Sequence, residues 1–328
     1  MSRRIAVFAA VAAVVAMRVV SGQPALLVMQ KAVPLPAVDG RIDHLAFDAA
    51  RGRLFVAALG NNTVEVIDTA SGVHLKSLPG FHEPQGVAVV SDFAVIAVAN
   101  GDTGTLQLID RDTYQTKHVV PVGGDADNVR YDADAKQLYV AYEGGLAVVD
   151  PGTGQVVRRV SIAGHPESFQ LERDGPLIFA NLPGAAQIVV ADRRTASVTT
   201  RWPAASRANY PMALDELSDR VFVGCRTPAT LAMHDSVSGK SLAVIPIVGD
   251  TDDLFVDAGR RRIYVIGGEG FVDVLQRDAV DGIRRIDRVA TASGARTGLF
   301  VQEQNRLYVA IPHRGPQAAE VRIYEPRN

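Results

Sequence analysis

The chain has 328 residues, of which 47% are hydrophobic and 21% are charged, and its formal net charge at pH 7 is −2. This composition is typical of a globular protein and excludes a disordered chain. Nucleic acids and anionic membranes require a basic surface that so balanced a chain does not offer, so neither is expected as a partner. The one cysteine, Cys225, has no partner for an internal disulfide, and a buried thiol is expected.

The first 22 residues differ in character from the rest. Ser2-Arg3-Arg4 is basic, residues 5–17 are apolar and rich in Ala and Val, and Val20-Ser21-Gly22 ends in small residues. This order is typical of a secretory signal peptide, because the apolar stretch is too short for an ordinary membrane span. We therefore expect a periplasmic or secreted protein whose mature part, residues 23–328, is one monomeric domain without a membrane span. An uncleaved N-terminal anchor is the alternative.

A repeated unit organises the chain that follows. Residues Leu54–Gly80 read LFVAALGNNTVEVIDTASGVHLKSLPG, which predicts three short strands separated by two tight turns. Aligning the first strand of each copy gives one position at Phe55, Val95, Tyr139, Phe179, Phe222, Tyr264 and Tyr308, with spacings of 40 to 44 residues. A period near 42 with four strands per unit is typical of a propeller blade. Seven copies predict an all-β, seven-bladed β-propeller.

The fourth strand of each unit lies just before that aligned position. It is predicted at residues 44–47, 87–90, 129–131, 169–171, 212–214, 254–256 and 299–301. The last unit lacks an outer strand after residue 325, and a spare strand precedes the first unit at residues 26–33. Pairing the two would hide both edges, so we expect the N-terminal strand to complete blade 7.

Other repeat architectures fit less well. A β/α barrel requires amphipathic helices between strands, and no sustained 3.6-residue period is present. A β-helix or leucine-rich solenoid repeats at shorter periods.

Several motifs resemble the YVTN/YncE-like β-propeller repeat family. They are NNTVEVIDTASG from Asn61, the Pro84-Gln85-Gly86 step, and the strands QLYVA at Gln137 and RLYVA at Arg306. The resemblance covers roughly residues 41–325 and implies the propeller fold, whereas its members share no single catalytic motif that could be carried over.

The loops that enter the innermost strands are the candidate site, because in a propeller they surround one mouth of the central channel. Two residues before each inner strand's first apolar residue lie Asp43, Gln85, Asp127, Glu167, Tyr210, Asp252 and Thr297. One residue before it lie His44, Gly86, Asn128, Ser168, Pro211, Asp253 and Gly298. The predicted ligand-binding residues are Asp43, His44, Gln85, Asp127, Asn128, Glu167, Tyr210, Asp252, Asp253 and Arg296.

Carboxylates are over-represented in this set, and their mutual repulsion must be relieved. One interpretation is an ion-pair network with Arg41, Arg207 and Arg296. The other is a bound cation such as Ca²⁺, held by Asp43, Asp127, Glu167 and Asp252, since hard oxygen ligands suit that ion. His82 and His165 begin equivalent loops and are interpreted as solvated, with a metal pair as the alternative.

The recurring aspartates at the ends of the third strands are interpreted differently. Asp68, Asp110, Asp150, Asp192 and Asp235 each precede a turn, which predicts Asx turns and not calcium repeats.

Three functions remain open from the sequence. The first is binding of a small molecule or a protein partner at the channel face without catalysis. The second is a divalent-metal-dependent hydrolase or lactonase that uses the acidic mouth. The third is a purely structural scaffold.

Overall fold

The computed structural model describes residues 25–328, so the predicted signal peptide lies outside the described residues. No helix in this described part is long and apolar enough to cross a membrane. The described residues form 28 strands, arranged as seven four-stranded antiparallel sheets. The predicted seven-bladed β-propeller is therefore confirmed.

The strands follow one another from the inner to the outer edge of each blade. Strand β1 is Leu27–Pro34. Blade 1 contains β2 (Leu45–Asp48), β3 (Arg53–Ala58), β4 (Thr63–Asp68) and β5 (Val73–Pro79); blade 2 contains β6 (Pro84–Val90), β7 (Val95–Asn100), β8 (Thr105–Asp110) and β9 (Thr116–Pro121); blade 3 contains β10 (Val129–Asp132), β11 (Gln137–Tyr142), β12 (Gly145–Asp150) and β13 (Gln155–Ser161).

The remaining blades continue the order. Blade 4 contains β14 (Phe169–Leu171), β15 (Leu177–Leu182), β16 (Gln187–Asp192) and β17 (Ser197–Pro203); blade 5 contains β18 (Arg207–Asp215), β19 (Arg220–Thr227), β20 (Ala229–Asp235) and β21 (Ser241–Pro246); blade 6 contains β22 (Thr251–Asp257), β23 (Arg262–Gly267), β24 (Phe271–Arg277) and β25 (Ile283–Ala290); blade 7 contains β26 (Gly298–Val301), β27 (Arg306–Ile311) and β28 (Glu320–Pro326). Short 3₁₀ turns lie at Leu59–Asn61, Ser91–Phe93, Pro183–Ala185, Glu216–Ser218 and Gln302–Gln304.

The hydrophobic core lies between neighbouring blades. The second strand of each blade is buried on both faces, as its unbroken apolar run predicts; all six residues of β7, for example, are buried. One cluster joins Leu106 and Leu108 of blade 2 to Leu138 and Val140 of blade 3. Each blade therefore buries its faces only against its two neighbours, and the ring is stable only when it is complete.

The alignment of blade 2 needs one correction. Phe55 pairs with Ala46 of the inner strand, and the residue that occupies the same place in blade 2 is Ala97, which pairs with Ala88. The predicted anchor Val95 was therefore wrong by two residues, because the strand VIAVAN has no aromatic residue to mark the position.

Strand β1 completes blade 7, as predicted. It pairs antiparallel with β28, from Leu27 opposite Pro326 to Pro34 opposite Glu320. A further backbone bond of 2.9 Å runs from the amide of Leu35 to the carbonyl of Ala319. Leu27 and Val33 are 2% and 1% exposed, so this strand contributes to the core as well as to the sheet.

Removal of this strand should destabilise the whole ring. A chain that lacks residues 1–34 loses the sheet partner of β28 and the burial of Leu27 and Val33, about 1.5–3 kcal/mol for each side chain. We expect its melting temperature, measured by circular dichroism, to fall by well over 5 °C, or the protein to aggregate through the exposed edge of β28. The control is a chain that lacks only residues 1–24; equal melting temperatures for the two chains would contradict this role of β1.

Candidate functional site

One residue from each blade meets at a single mouth of the channel. Strand register identifies these residues, which we call the mouth ring: Asp43, Gln85, Asp127, Glu167, Tyr210, Asp252 and Arg296. All of them except Asp43, which is buried, line a polar pocket of about 410 Å³, the mouth pocket. The repeat position predicted from the sequence therefore does converge in space.

In blade 7 the predicted ring position was wrong by one residue. Gly298 pairs with Val309 as Leu45 pairs with Val56, so Arg296, and not Thr297, occupies the ring position. Thr297 instead corresponds to His44. The carbonyl of Thr297 accepts a backbone hydrogen bond from the amide of Ala310, just as the carbonyl of His44 accepts one from the amide of Ala57. The register of blade 7 was misjudged because the first position of the inner strand was expected to be a larger apolar residue, whereas it is Gly298.

A residue in the left-handed backbone conformation lies just before the ring residue in several blades. In four blades the residue two positions earlier has a positive φ: Glu83 (51°), Asp125 (52°), Ala208 (57°) and Asp250 (53°). Such a conformation costs a residue other than glycine on the order of 1 kcal/mol. The surrounding hydrogen bonds must hold it, and the repeated conformation aims each ring residue in the same direction.

Arginines neutralise the ring on the side of blades 5, 6, 7 and 1. Arg226 donates to Asp252 at 2.6 Å, and Arg296 donates to Asp250 at 3.0 Å. Arg41 bonds Asp43 at 2.8 Å and lies 3.7 Å from Asp252. We call this group the arginine half of the mouth.

Of the three arginines predicted to neutralise the mouth carboxylates, the prediction for Arg207 was wrong. Its side chain is exposed at the start of β18 and makes no ion pair among the described contacts. Arg226 takes its place, because it lies at the end of β19 on the channel side and its guanidinium stacks 3.7 Å above the ring centroid of Tyr210. The buried amide of Asn181 fixes this arrangement by donating to the Tyr210 carbonyl at 2.9 Å.

The side of blades 2, 3 and 4 contains no arginine in the ring. Asp127 and Glu167 lie in adjacent blades, and the imidazole of His165 lies beside both: its Nε2 is 3.8 Å from Asp127 Oδ2 and 3.9 Å from Glu167 Oε1. Its Nδ1 lies 3.7 Å from Asp125, which accepts a 2.9 Å hydrogen bond from Gln85. We call this group the histidine half.

His165 was expected to be solvated, and that interpretation was wrong. Its side chain is 22% exposed and faces the mouth pocket, whereas His82 of the equivalent loop is exposed. No sequence motif joins His165 to Asp127, which is 38 residues away. Only the blade repeat could have indicated this contact, since both residues precede inner strands of neighbouring blades.

A second layer lies directly below the mouth ring. His44 Nδ1 is 3.3 Å from Asp253, and His44 Nε2 is 3.1 Å from the side-chain amide nitrogen of Asn128. His44 and Asp253 also line a separate channel cavity of about 450 Å³. Gly86 belongs to this layer, where a Cβ would lie 2.2 Å from the carbonyl oxygen of Asp127. The predicted residues therefore form two layers and not one surface.

The charges at the mouth perturb one another strongly. Burial, together with the charge of Asp127, raises the pKa of Glu167 to about 8, so Glu167 retains its proton at neutral pH. Burial also raises the pKa of Asp252 to about 6 against the opposing effect of Arg226. Burial alone would lower the pKa of His44, but Asp253 and Asp43 outweigh it and raise that pKa to about 10. Burial likewise raises the pKa of Asp43.

Asp127 responds in the opposite direction. Burial would raise its pKa, yet the hydrogen-bonding and charge effects of His165 and His44 outweigh burial and lower the pKa. The same carboxylates raise the pKa of His165 against its own burial. Asp127 is thus the ionised member of the Asp127–Glu167 pair, and Glu167 is the protonated one.

The predicted Asx turns are confirmed. Asp68 accepts from the amide of Ser71 at 2.7 Å, and Asp150 accepts from Gly152 at 2.8 Å. Asp110, Asp192 and Asp235 make the same contacts in their own blades. Cys225 is buried, as expected.

Comparison with known proteins supports the fold more than the family. No protein-family model matches the chain. An uncharacterized protein of Bacillus subtilis (strain 168), YwhL, is 27% identical over 126 residues, which is 38% of this chain. The match spans only 27% of that relative's own length.

Solved structures share the architecture at low sequence identity. Hydrazine synthase of Kuenenia stuttgartiensis is similar with a TM-score of 0.73 and 18% identity over 84% of this chain and 92% of that one. A chain of the mitotic checkpoint complex is similar with a TM-score of 0.78 and 12% identity over the full length of both. These likenesses show the fold alone. Fold and site together define a seven-bladed β-propeller with a polar pocket at one channel mouth.

The arginine half can be tested with two matched substitutions in blade 5. Arg226→Ala leaves the mostly buried Asp252 without its closest cation, and breaking such a pair costs about 3 kcal/mol or more. Arg207→Ala removes an exposed arginine without an ion pair and should cost less than about 0.5 kcal/mol. We expect thermal unfolding to show a melting temperature several degrees lower for Arg226→Ala only; two variants of equal stability would contradict the assignment.

Proposed function

We propose that the protein binds a small, positively charged ligand in the mouth pocket, and that this recognition involves no covalent chemistry. The observation that carries the proposal is the histidine half. There the ionised Asp127 is 4% exposed and has no arginine partner among the described residues, although three arginines line the same pocket. Its neighbour is the imidazole of His165 at 3.8 Å.

The charge distribution favours a cation over an anion. The arginines of the other half already bond carboxylates at 2.6 to 3.0 Å, so an anion would have to displace those partners. A cation beside Asp127, by contrast, fills a place that no arginine occupies. At an effective dielectric constant near 20, opposite charges about 4 Å apart attract by roughly 4 kcal/mol before the cost of desolvation.

The scaffold also suits binding. The ring residues lie just before the inner strands or in their first residues. The ion pair of Arg226 with Asp252 and the hydrogen bond from Asn181 to Tyr210 hold this part of the chain in place. A site organised in advance loses little conformational entropy when a ligand binds. A pocket of about 410 Å³ is large enough for a small molecule.

Family membership and export complete the proposal. The strands QLYVA and RLYVA and the turn NNTVEVIDTASG support a place in the YVTN/YncE-like family. Residues 1–22 support export through a cleaved signal peptide to the periplasm or the medium. Cleavage after Gly22 would leave β1 intact, as the closed ring requires.

A divalent-metal-dependent hydrolase or lactonase is the second candidate. The observation in its favour is the group of Asp127, His165 and Glu167, whose ligand atoms lie within 4.8 Å of one another at the open pocket. Such catalysis would require a metal-bound water and is secondary to the question of whether a cation binds there.

The binding proposal can be tested with probes of opposite charge. Protein freed of metal by a chelator is heated with putrescine or with succinate at equal ionic strength. Because a ligand of the native state stabilises it, putrescine should raise the melting temperature saturably, and succinate should not. Asp127→Asn should remove the effect, whereas Asp102→Asn, an exposed loop residue of blade 2, should leave it unchanged. Stabilisation by succinate alone would contradict the proposal.

The export proposal has a direct test of its own. N-terminal sequencing of the protein from its native host should give a mature chain that begins near Gln23. An intact Met1 on membrane-bound protein would instead support the uncleaved anchor.

A further inference from the structure

We propose that Asp127, His165 and Glu167 bind one first-row divalent transition-metal ion, such as Mn²⁺ or Zn²⁺, at the channel mouth. This inference rests on the proposed function, because it names the chemical class of the cation that the histidine half accepts. The three side chains come from two neighbouring blades, so the site forms only where blades 3 and 4 pack against each other.

The geometry suits three ligands of one ion. His165 Nε2 lies 3.8 Å from Asp127 Oδ2 and 3.9 Å from Glu167 Oε1. A metal about 2.0–2.2 Å from each ligand atom requires those atoms to be roughly 3–4.4 Å apart. Both distances fall in that range, and the ligand atoms of all three side chains lie within 4.8 Å of one another.

The buried carboxylate of Asp127 is an independent indication. The residue is 4% exposed, yet the one hydrogen bond among the described contacts that its carboxylate accepts comes from Asn128 at 3.5 Å, the upper limit for such a bond. Its Oδ2 lies 3.8 Å from His165 Nε2, which is long for a hydrogen bond. Buried carboxylates ordinarily have short hydrogen bonds or a closely bonded cation, whereas within the described part of the chain this one has the long Asn128 contact and the imidazole of His165 at 3.8 Å.

The second nitrogen of His165 supports the same assignment. Nδ1 is buried, has no hydrogen-bond partner in residues 25–328, and lies 3.7 Å from Asp125 Oδ2. Gln85 donates to the other oxygen of Asp125 at 2.9 Å. Metal-binding histidines commonly donate their second ring nitrogen to a carboxylate, which orients the imidazole. A small movement of Asp125 completes that contact and leaves Nε2 as the metal ligand. Asp125 is then a positioning residue.

The ligand types indicate the class of ion. One imidazole nitrogen and two carboxylates suit manganese, iron or zinc, once the ion has displaced the protons of Glu167 and His165. Ca²⁺ prefers an all-oxygen set of six to eight ligands. The four carboxylates considered from the sequence for Ca²⁺ cannot form such a set here, because Asp43 and Asp252 already bond Arg41 and Arg226. Three protein ligands leave further coordination positions that face the mouth pocket.

The test measures metal binding to the whole folded protein. After chelator treatment and dialysis, Mn²⁺ and Zn²⁺ are titrated separately. Bound metal is counted by equilibrium dialysis with mass spectrometry, and bound Mn²⁺ is also followed by electron paramagnetic resonance. The wild-type protein should bind one equivalent. His165→Gln and Asp127→Asn should each weaken binding at least 100-fold, and Asp125→Asn should weaken it about 10-fold.

The matched control is His82→Gln, at the exposed histidine of the equivalent loop, which should bind metal as the wild type does. Circular dichroism confirms that each variant is folded before it is compared. Absence of a saturable equivalent, or unchanged binding in His165→Gln, would overturn the metal site. If the wild-type protein binds no metal but putrescine still stabilises it, the proposed cation binding stands and the metal site is wrong. If neither putrescine nor metal binds, both proposals are wrong.

Discussion

Closure of the ring through the β1–β28 pair is the contact on which the rest of the structure depends. Each blade buries its faces only against its neighbours, so an open ring would expose an apolar face and a sheet edge at once. Closure also fixes the distance of every inner strand from one axis. One residue per blade then meets at the channel mouth, although these residues lie about 42 positions apart in the chain.

Convergence on one axis explains why the site is electrostatically divided. Four of the seven mouth-ring residues are carboxylic acids, and a low-dielectric interior makes their repulsion costly. Arginines relieve it where the neighbouring loops supply them, at Asp43 and Asp252. The protonated His44 relieves it from the layer below. At Asp127 and Glu167 the chain supplies one histidine, and the proton on Glu167 removes the remaining conflict.

In the histidine half, protons and not arginines therefore balance the carboxylates, and a bound cation would replace those protons. Among the described contacts its Asp127 accepts one long hydrogen bond of 3.5 Å, whereas Asp252 of the arginine half accepts one of 2.6 Å from Arg226. The arginine half contributes rigidity instead, because Arg226 joins Asp252, Tyr210 and, through the Tyr210 loop, the buried Asn181. Binding and structural roles thus fall on opposite sides of one pocket.

The fold could be predicted from the sequence because the repeat carries its own signals. Turn residues, unbroken apolar strands and a near-constant period each indicate blades, and the unpaired strand at either end indicates the closure. The errors arose where one blade lacked such a signal. Ala97 replaces an aromatic residue in blade 2, and the small Gly298 begins the inner strand of blade 7, so both registers were misaligned.

Side-chain partners were harder to predict than strands. The sequence placed Asp127 and Glu167 at the mouth, but the choice between Arg207 and Arg226 depends on which way a strand end faces. The contact of His165 with Asp127 depends on the angle between two blades, which neither period nor propensity determines. The candidate site was therefore predicted by position, whereas its chemistry came from the structure.

The division of the mouth is most directly tested by anomalous diffraction from crystals soaked in Mn²⁺. We expect one anomalous peak between Asp127, His165 and Glu167, and none beside Asp43 and Asp252, where arginines already supply the positive charge. A peak beside Asp43 and Asp252, or no peak at the mouth, would contradict it.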